Sequence, residues 1–394
     1  MLPRRILFVE ASTGGVVGGS LTGILHLMAR LDRERFAPAL ALLEPKSIAA
    51  NGVPVRILPL LPLRASGRGR SRLGRAVLRG RDLTALVRRT RAFAQLFRRE
   101  DPALVYLANG LRANIDGVLA ARLCGLPVVC HEKGFEQTGP VERFASRWLD
   151  AYIGMTDEIV AHCRGRVQAR RLVTVYDGVD CAEFAPGGGG AVRREFGIPA
   201  DALVAGIVGH LQEWKGQHLV VEAVARARRR FPELHCLIVG GVHRMGADYA
   251  TRLHERIAAL GLAAHVTLTG ARDDVPACLD AMDVVLHASV LPEPFGRVLI
   301  EAMALGRPVI APREGGPLAI VVEGETGLLV PPRDEVALGD ALAELLADPR
   351  RRSAMGQAGR ARVDAVFDIR HHLRAIESLL EEVLAEHARS AATT

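Results

Sequence analysis

Lysine, aromatic residues and paired cysteines are all scarce in this chain of 394 residues. Aromatic side chains make up 4% of it, there are three lysines, and none of the six cysteines forms a Cys-x-x-Cys pair. Without that pair the sequence offers no common zinc or iron–sulfur motif, and scattered cysteines are typical of reduced thiols in the cytosol. No apolar run reaches the roughly 18 residues of a membrane-spanning helix. The N-terminus lacks the apolar length of a signal peptide, so we expect a cytoplasmic protein.

Positive charge is concentrated in one segment. The formal net charge is +7, but residues 64–99 contain 12 arginines and a single acid, Asp82, and so carry +11. The rest of the chain therefore carries −4, from +7 minus +11. One basic segment thus accounts for the basic character of the whole protein.

The length predicts two domains, because a single core rarely serves this many residues. Short apolar runs alternate with helical patterns in both halves, which is typical of parallel sheets with crossover helices. Four consecutive glycines at 187–190 predict a flexible linker. We therefore expect an α/β protein with two Rossmann-like doubly wound domains facing a central cleft. The predicted strands are 6–9, 39–43, 53–57, 104–107, 127–130 and 173–175 in the first half, and 203–208, 236–239, 266–269, 284–286 and 309–311 in the second.

The predicted domains cover residues 1–185 and 191–365. The first carries an Arg-rich insert at 64–81, and the second is the expected ligand-binding half. A last helical segment, 366–394, could cross back to the first domain. In doubly wound sheets, ligands bind beyond the carboxyl ends of the strands.

The segment from Glu293 to Glu301 is the most informative part of the sequence. Glu293 lies in a loop with proline and glycine, and Glu301 lies within an apolar helical run. Phe295 and Gly296 precede that helix, whose free N–H groups would form an anion site. Two carboxylates around an anion site suit a molecule with hydroxyls at both ends and phosphate in the middle, such as a nucleotide sugar. The alternative is an ordinary loop-to-helix junction with a solvated Glu301.

Three further features follow predicted strands. Lys215 stands beside a glycine after the strand 203–208, where an ammonium can neutralise a phosphate; a surface lysine is the alternative. His131 directly follows the strand 127–130 and could bind a hydroxyl or move a proton, although a structural histidine is equally compatible. The glycine-rich loop 14–19 could hold phosphate through its N–H groups or form a tight turn.

The Arg-rich segment divides into two parts. Residues 64–81 are rich in arginine, glycine and serine and predict a loop that could contact phosphate or an anionic membrane surface. Residues 83–99 have apolar side chains at helical spacing and predict a crossover helix packed on the sheet. Nucleic acid is not an expected partner, because aromatic residues are not interleaved with the arginines.

Taken together, these residues resemble the retaining glycosyltransferases of family 4, which have the GT-B fold. Glu293 to Glu301 looks like the E-x7-E motif of that family, and it continues as Ala302-Met303-Ala304-Leu305-Gly306-Arg307-Pro308-Val309. Segments 315–317 and 324–330 look like its C-terminal glycine turns, and 177–180 looks like a segment that is usually Asn-Gly-Val-Asp. The resemblance covers almost the whole chain and is strongest over 200–335.

The resemblance implies roles at the matching positions. Glu293 would bind sugar hydroxyls near the reacting carbon, Lys215 would neutralise the diphosphate, and His131 would lie near sugar and acceptor. Glu301 would bind the ribose hydroxyls. The remaining positions expected at the nucleotide sugar are Phe295, Gly296, Arg297, His210, Gly18, Gly19, Ala271 and Arg272.

Two positions depart from the family pattern. His210 stands where an arginine usually pairs with the lysine on the diphosphate, and Ala319 stands where the family often has glutamate. Arg244 and Arg272 are candidate replacements for the missing arginine. These departures concern donor identity and rate rather than fold.

The resemblance implies transfer of a sugar, with retention, from a nucleotide-diphosphate sugar to a hydroxyl of a glycan or lipid-linked acceptor. Cell-envelope polysaccharide or glycolipid synthesis is the usual setting. No cofactor is expected, and no metal, because the sequence has no Asp-x-Asp motif. The alternatives are a catalytically weak nucleotide-binding relative, or another GT-B enzyme such as a nucleotide-sugar epimerase or an α-glucan phosphorylase-like enzyme.

Overall fold

A computed structural model describes residues 2–12, 19–48, 52–58, 72–243 and 246–392. Two compact units are present. The first comprises Met1–Tyr176 with Leu373–Thr394, and the second comprises Asp177–His372. Each unit is built on one parallel sheet.

The first unit has a seven-stranded sheet in the order β3-β2-β1-β4-β5-β6-β7. Every neighbouring pair is parallel. Continuous runs of buried apolar residues form the central strands, as expected where helices cover both faces of a sheet. The strands are β1 (Arg4–Glu10), β2 (Phe36–Leu42), β3 (Val55–Ile57), β4 (Leu104–Leu107), β5 (Val128–Glu132), β6 (Ala151–Gly154) and β7 (Leu172–Thr174).

The helices of the first unit connect these strands and cover the sheet. Ile376, Leu380 and Val383 of the last helix of the chain share one core with β1 and the first helix, which explains why residues 373–394 group with the first unit. The helices are α1 (Gly19–Arg30), α2 (Arg72–Glu100), α3 (Gly110–Ala113), α4 (Ile115–Cys124), α5 (Pro140–Ser146) and α6 (Asp157–Cys163).

The second unit has a six-stranded parallel sheet in the order β10-β9-β8-β11-β12-β13. Counted within the unit this is 3-2-1-4-5-6, the Rossmann order. The order in which strands are added to the sheet reverses between β8 and β11, although the strands stay parallel. The strands are β8 (Val204–Val208), β9 (His235–Val239), β10 (Val266–Gly270), β11 (Val284–Leu286), β12 (Val309–Pro312) and β13 (Gly327–Val330).

Helices flank this second sheet in the same way. A short 3₁₀ helix, Glu213–Lys215, precedes α8, and a π-helical turn, Val363–Phe367, follows α14. No helix among the described residues is both long and apolar enough to cross a membrane. The helices are α7 (Gly189–Glu195), α8 (Gln217–Ala227), α9 (Ala247–Ala259), α10 (Val275–Asp280), α11 (Arg297–Ala304), α12 (Pro317–Ile320), α13 (Glu335–Ala347) and α14 (Pro349–Arg362). The last helix of the chain is α15 (Ile369–Ala392), and its residues from Leu373 onward belong to the first unit.

The prediction of two Rossmann-like sheets is confirmed. All eleven predicted strands exist, and none of their ends differs from the prediction by more than three residues. Strands β6 and β13 were not predicted. Strand β6 is only four residues long, and β13 begins at a glycine that had been assigned to a turn.

The predicted flexible linker at 187–190 is wrong. The division between the units lies at Tyr176 and Asp177, ahead of the glycines. The N–H groups of Gly187 and Gly189 both donate to Asp280 Oδ2, at 2.9 and 2.8 Å. A Cβ at Gly189 would lie 2.5 Å from the backbone of Asp280. The glycines therefore allow close packing on α10 within the second unit.

The predicted loop at 64–81 is also wrong for residues 72–81, which form the first turns of α2. Residues 64–71 lie outside the described residues. The predicted crossover helix over 83–99 is confirmed, because Phe93, Ala94, Leu96 and Phe97 are buried on one side of α2.

Candidate active site

Lys215 and Glu293 meet at the carboxyl edge of the second sheet. Lys215 ends the 3₁₀ helix that follows β8, and Glu293 lies in the loop that follows β11. Lys215 Nζ lies 2.8 Å from Glu293 Oε2 and 4.0 Å from the centre of the Trp214 ring. Since β8 and β11 are adjacent, two residues 78 positions apart are brought to the switch point of a doubly wound sheet.

The two loops are joined through their backbones. The N–H of Val290 donates to the carbonyl of Trp214 at 2.8 Å. Gly216 has a φ of 72°, and a Cβ there would lie 1.9 Å from the carbonyl oxygen of Ala288. Only glycine fits this position without separating the loops. The approach of Lys215 to Glu293 is therefore fixed by backbone geometry.

Three side chains converge on one oxygen of Glu293. Its Oε2 accepts hydrogen bonds from Lys215 Nζ at 2.8 Å and Ser289 Oγ at 3.0 Å, and His287 Nε2 lies 3.3 Å away. Among the described residues no hydrogen bond or ion pair reaches Oε1. Burial acts to raise the pKa of Glu293, but His287 and Lys215 together outweigh it and hold the pKa well below its usual range. Glu293 is thus an ionised carboxylate with one oxygen available to a ligand.

Helix α11 begins four residues after Glu293. Gly296 caps it with a φ of 99°, a left-handed conformation that favours glycine. The N–H groups of its first turn have no acceptor within their own helix and lie at the positive end of its dipole. Phe295 is buried and its ring packs near Phe367, so only its backbone is available there. The junction can accept an anion.

Glu301 lies one turn into α11, with its side chain 15% exposed. Arg297 Nη2 lies 3.4 Å from Glu301 Oε1, and its Nη1 lies 3.9 Å from Asp177 Oδ2. Burial raises the pKa of Glu301, and Arg297 only partly opposes this shift. The side chain of Arg297 is therefore engaged with carboxylates.

Two glycines after β12, Gly315 and Gly316, pack against the backbone of the Glu293 loop. The N–H of Gly316 donates to the carbonyl of Glu293 at 2.7 Å. A Cβ at Gly316 would lie 2.1 Å from the carbonyl oxygen of Phe295, and one at Gly315 would lie 2.6 Å from that of Glu293. Close backbone contact across these residues holds the loop against the sheet.

The other predicted residues of the second unit occupy the same edge. His210 is exposed after β8, with its ring 6.0 Å from that of His243. Ala271 and Arg272 follow β10, and Arg272 is ion-paired with Glu195 at 2.5 Å and Asp274 at 2.7 Å. It is not available as the missing arginine without breaking those pairs. Arg244 lies outside the described residues.

His131 lies within β5, not after it as predicted, and is 1% exposed. Its Nδ1 lies 2.6 Å from the hydroxyl of Tyr106 on the neighbouring strand. The polar imidazole of His131 led the sequence pattern to end the strand before it. The strand includes His131 because the tyrosine hydroxyl gives the buried imidazole a hydrogen-bond partner. Gly18 lies outside the described residues, and Gly19 is the first residue of α1.

Glu132 follows His131 and is buried at the end of β5. Its Oε2 accepts a 2.5 Å hydrogen bond from the Tyr152 hydroxyl, and its Oε1 accepts from the N–H groups of Lys133 and Gly134 at 3.0 and 3.1 Å. Burial raises the pKa of Glu132 to about 7 despite these bonds. Its charge therefore changes near neutral pH.

Sequence reasoning missed a buried ion pair in the first unit. Lys46 Nζ lies 2.8 Å from Glu10 Oε2, and both side chains are fully buried. Asn109 donates to Glu10 Oε1 at 2.9 Å, and Lys46 also donates to Ser12 Oγ at 2.6 Å. The scarcity of lysine could have drawn attention to this position, as it did to Lys215.

His287 and Ser289 were also missed. The signal was their alternation directly after the apolar strand β11, which directs both side chains to the same side of the chain. For metals, one group among the described residues has suitable spacing, Cys181 with Asp364 and Asp368. Asp368 is already paired with Arg370 at 2.8 Å, and this group is not part of the Lys215–Glu293 site.

Residues 191–362 match the family described as glycosyl transferases group 1. The matched stretch lies within the second unit, Asp177–His372. The expected GT-B fold is confirmed by solved structures. The Anabaena protein HepE in complex with UDP and glucose has a TM-score of 0.77 at 23% identity, covering 96% of this chain and 99% of that one. Sucrose-phosphate synthase from Thermosynechococcus elongatus has a TM-score of 0.78 at 23% identity, covering 97% and 100%.

Curated relatives align with about half of this chain. A D-inositol 3-phosphate glycosyltransferase of Corynebacterium urealyticum is 39% identical over 194 residues, covering 48% of this chain and 46% of the relative. A GDP-mannose-dependent alpha-(1-6)-phosphatidylinositol monomannoside mannosyltransferase of Mycolicibacterium smegmatis is 33% identical over 245 residues, covering 58% and 62%. The chain spans about half the length of the inositol-phosphate relatives it matches. The resemblance to glycosyltransferase family 4 is confirmed.

Replacing Gly316 should disturb the Glu293 loop. The Cβ of Gly316→Ala would collide with the backbone of Phe295, and overpacking of this kind costs about 1–3 kcal/mol. We expect a lower melting temperature by circular dichroism. The matched control is Gly190→Ala, because a Cβ in the first turn of α7 would meet only Arg194 Nη1 at 3.6 Å. Equal melting temperatures for the two variants would contradict the proposed support.

Glu132 should make stability depend on pH. Its pKa is about 4.5 in the unfolded chain and about 7 in the fold, so the folded state holds the extra proton between these values. Stability therefore falls as pH rises from about 4.5 to about 7 and then levels off. Glu132→Gln should remove this contribution, so its melting temperature relative to wild type should rise across the same window. The exposed Glu158→Gln should keep the wild-type slope, and a constant difference between wild type and Glu132→Gln would refute the assignment.

Proposed function

We propose that this protein is a retaining glycosyltransferase that moves a sugar from a nucleotide-diphosphate sugar to a hydroxyl of a glycan or glycolipid. The proposal rests on one observation above the others. An ammonium and an ionised carboxylate are held 2.8 Å apart beside the N-terminus of α11, at the carboxyl edge of a Rossmann sheet. This arrangement supplies complementary groups for phosphate and for sugar hydroxyls within one site.

Each group has a distinct role in the proposed complex. Glu293 Oε1 accepts hydrogen bonds from the sugar hydroxyls, because its other oxygen is occupied within the protein. Lys215 and the first N–H groups of α11 bind the diphosphate. Glu301 binds the ribose hydroxyls. Backbone groups of Phe295, Gly296 and Arg297 complete the contacts, with His210, Ala271 and Arg272 at the nucleotide.

The proposed reaction breaks the bond between C1 of the sugar and the diphosphate oxygen. Negative charge grows on that oxygen, and Lys215 and the α11 terminus stabilise it through groups already in place. The acceptor hydroxyl attacks C1 on the face that the diphosphate leaves, and the departing phosphate takes its proton. The configuration at C1 is therefore retained, and no general base is required. The reaction is proposed to be independent of metal.

Relatives support the choice of substrates to test. One is described as using GDP-mannose with a phosphatidylinositol monomannoside, and HepE has been solved with UDP-glucose. A lipid-linked or glycan acceptor and a UDP- or GDP-sugar donor are therefore the first candidates. Cell-envelope polysaccharide or glycolipid synthesis is the proposed setting.

One observation favours a second candidate, a nucleotide-binding relative with weak catalysis. The position next to Gly209 carries His210, and Arg272 is tied to Glu195 and Asp274. The diphosphate would then be neutralised by Lys215 and the helix terminus with less charge than in most of the family. Tight nucleotide binding without transfer would identify this case.

We further propose that the first unit lies on the inner face of the cytoplasmic membrane through α2. The outward side chains of this helix between 83 and 99 include four exposed arginines and no acid, and Leu83 and Val87 are 62% and 41% exposed. The exposed arginines are Arg88, Arg91, Arg98 and Arg99. Arginines beside exposed aliphatic residues suit an anionic phospholipid surface. Residues 64–71, which the sequence predicts to contact the same kind of surface, lie outside the described residues.

Glu293 provides the main test of transfer. A thermal-shift screen with UDP-, GDP-, ADP-, dTDP- and CMP-sugars first identifies the donor. Product formation is then measured by mass spectrometry with EDTA present, and the anomeric configuration by proton NMR. We expect Glu293→Ala to lower turnover by roughly 100- to 1000-fold, the loss typical of a group that acts in the transition state, while the protein stays folded. Glu323→Gln, an exposed carboxylate in the same unit, is the control.

Near-normal turnover of Glu293→Ala would reject the assignment. Inversion at C1 would reject retention. Loss of activity with EDTA would reject metal independence. Conversion of a nucleotide sugar without acceptor would indicate an epimerase, and absorbance of bound pyridoxal would indicate a phosphorylase.

Membrane contact can be tested with vesicles. Wild type should float with phosphatidylglycerol vesicles at low salt and much less with phosphatidylcholine, because salt and neutral lipid remove the attraction. Arg88→Ser with Arg91→Ser should weaken binding by roughly tenfold or more, given about 1 kcal/mol for each arginine near the surface. Arg229→Ser with Arg230→Ser, two exposed arginines of the second unit, is the matched control. Equal binding by both double variants would refute a role for α2.

A further inference from the structure

The segment after β11 presents two buried polar side chains to Glu293. His287 is 4% exposed and Ser289 is 1% exposed. The N–H of His287 donates to the carbonyl of Ile310 at 2.8 Å, so the segment continues the sheet and is firmly placed. Residues two apart in an extended chain point the same way, which directs both side chains to the carboxylate.

The ring of His287 is buried without a hydrogen bond among the described residues. Neither ring nitrogen makes a hydrogen bond of normal geometry with any described residue, and Nε2 is nearest to Glu293 Oε2, at 3.3 Å. A buried polar group without a partner is costly and calls for an explanation. An apolar residue would fill the position at lower cost if the imidazole served only for packing.

The demands on Lys215 supply that explanation. In the unliganded site Lys215 is the shortest contact of Glu293 Oε2. In the proposed reaction the same ammonium must serve the diphosphate. When Lys215 turns to the diphosphate, the hydrogen bond from Ser289 is left on Glu293 Oε2. One hydrogen bond lets the carboxylate rotate, and rotation would move Oε1 away from the sugar hydroxyls.

We propose that His287 is a positioning residue for Glu293. With its proton on Nε2, the imidazole donates toward Oε2 and, with Ser289, fixes the carboxylate while Lys215 engages the diphosphate. Oε1 then stays directed at the hydroxyls of the donor sugar. This inference rests on the proposed function and concerns its sugar-binding group.

The test compares His287→Leu with His287→Gln. Leucine keeps the volume but not the donor, whereas the amide of glutamine can replace the Nε2–H. His265→Leu is the matched control, since His265 also has a buried ring nitrogen without a partner but precedes β10, at the opposite edge of the sheet. Calorimetry gives the affinity for the free nucleoside diphosphate and for the nucleotide sugar found in the donor screen, and initial rates give kcat and KM.

We expect all three variants to bind the nucleoside diphosphate like wild type. The sugar contributes the difference between the affinity for the nucleotide sugar and that for the nucleoside diphosphate. In His287→Leu, this contribution should fall by about 10- to 100-fold, and kcat should fall by a similar factor, the range for a hydrogen bond to a charged group. His287→Gln should recover both to within about threefold. A leucine variant with normal sugar affinity and kcat, or a glutamine variant as impaired as leucine, would overturn the proposal.

A structural readout separates this inference from the proposed function. If wild type binds no nucleotide sugar, the proposed function fails by itself. Crystal structures of the unliganded wild type and His287→Leu then decide the role of His287. A reoriented Glu293 carboxylate in the leucine variant supports it, and an unchanged carboxylate refutes it.

Discussion

The ion pair between Lys215 and Glu293 is the interaction on which the rest of the candidate site depends. Glu293 is nearly buried, and a buried charge is tolerated only where its partners replace the lost water. If the two residues were separated, each would be left with an uncompensated charge. The loops after β8 and β11, which carry them, must therefore be held together. The hydrogen bond from Val290 to Trp214 and the contact of Gly216 with Ala288 provide that constraint. Charge compensation and backbone packing thus depend on each other.

The sheet order explains why this pair lies where a ligand can reach it. Strands β8 and β11 are neighbours, and the connections after them leave the sheet in opposite directions. Ligands bind at such a switch point because the diverging loops leave a crevice between them. Gly296 then starts a helix at this crevice with its N–H groups directed outward. The topology places the site, and glycine at the points of closest approach allows the site to be compact.

Sequence reasoning succeeded where a single local pattern determines the structure, and failed where a distant partner decides it. Uninterrupted apolar runs gave the central strands of both sheets. His131 was placed after its strand because the pattern turns polar there, yet Tyr106, from another strand, allows it to be buried. Glycines 187–190 have the composition of a linker, but Asp280 of α10 binds the N–H groups of Gly187 and Gly189. The E-x7-E spacing located Glu293. His287 could not be identified as a site residue from the sequence, because its role depends on its contact with Glu293 in the fold.

The two units use lysine in the same way. In a chain with so many arginines, all three lysines follow the carboxyl end of a strand: β2, β5 and β8. Lys46 and Lys215 each pair at 2.8 Å with a carboxylate from a neighbouring strand or its loop, Glu10 in one unit and Glu293 in the other. An ammonium is a compact charge with three donors, whereas a guanidinium is a planar fork that needs more room. Lys46 reaches Glu10 Oε2 and Ser12 Oγ together with its side chain fully buried. Lys215 reaches Glu293 Oε2 with its ammonium over the Trp214 ring. The compact ammonium suits both positions, because each lies at the carboxyl end of a strand beside a carboxylate that is itself buried.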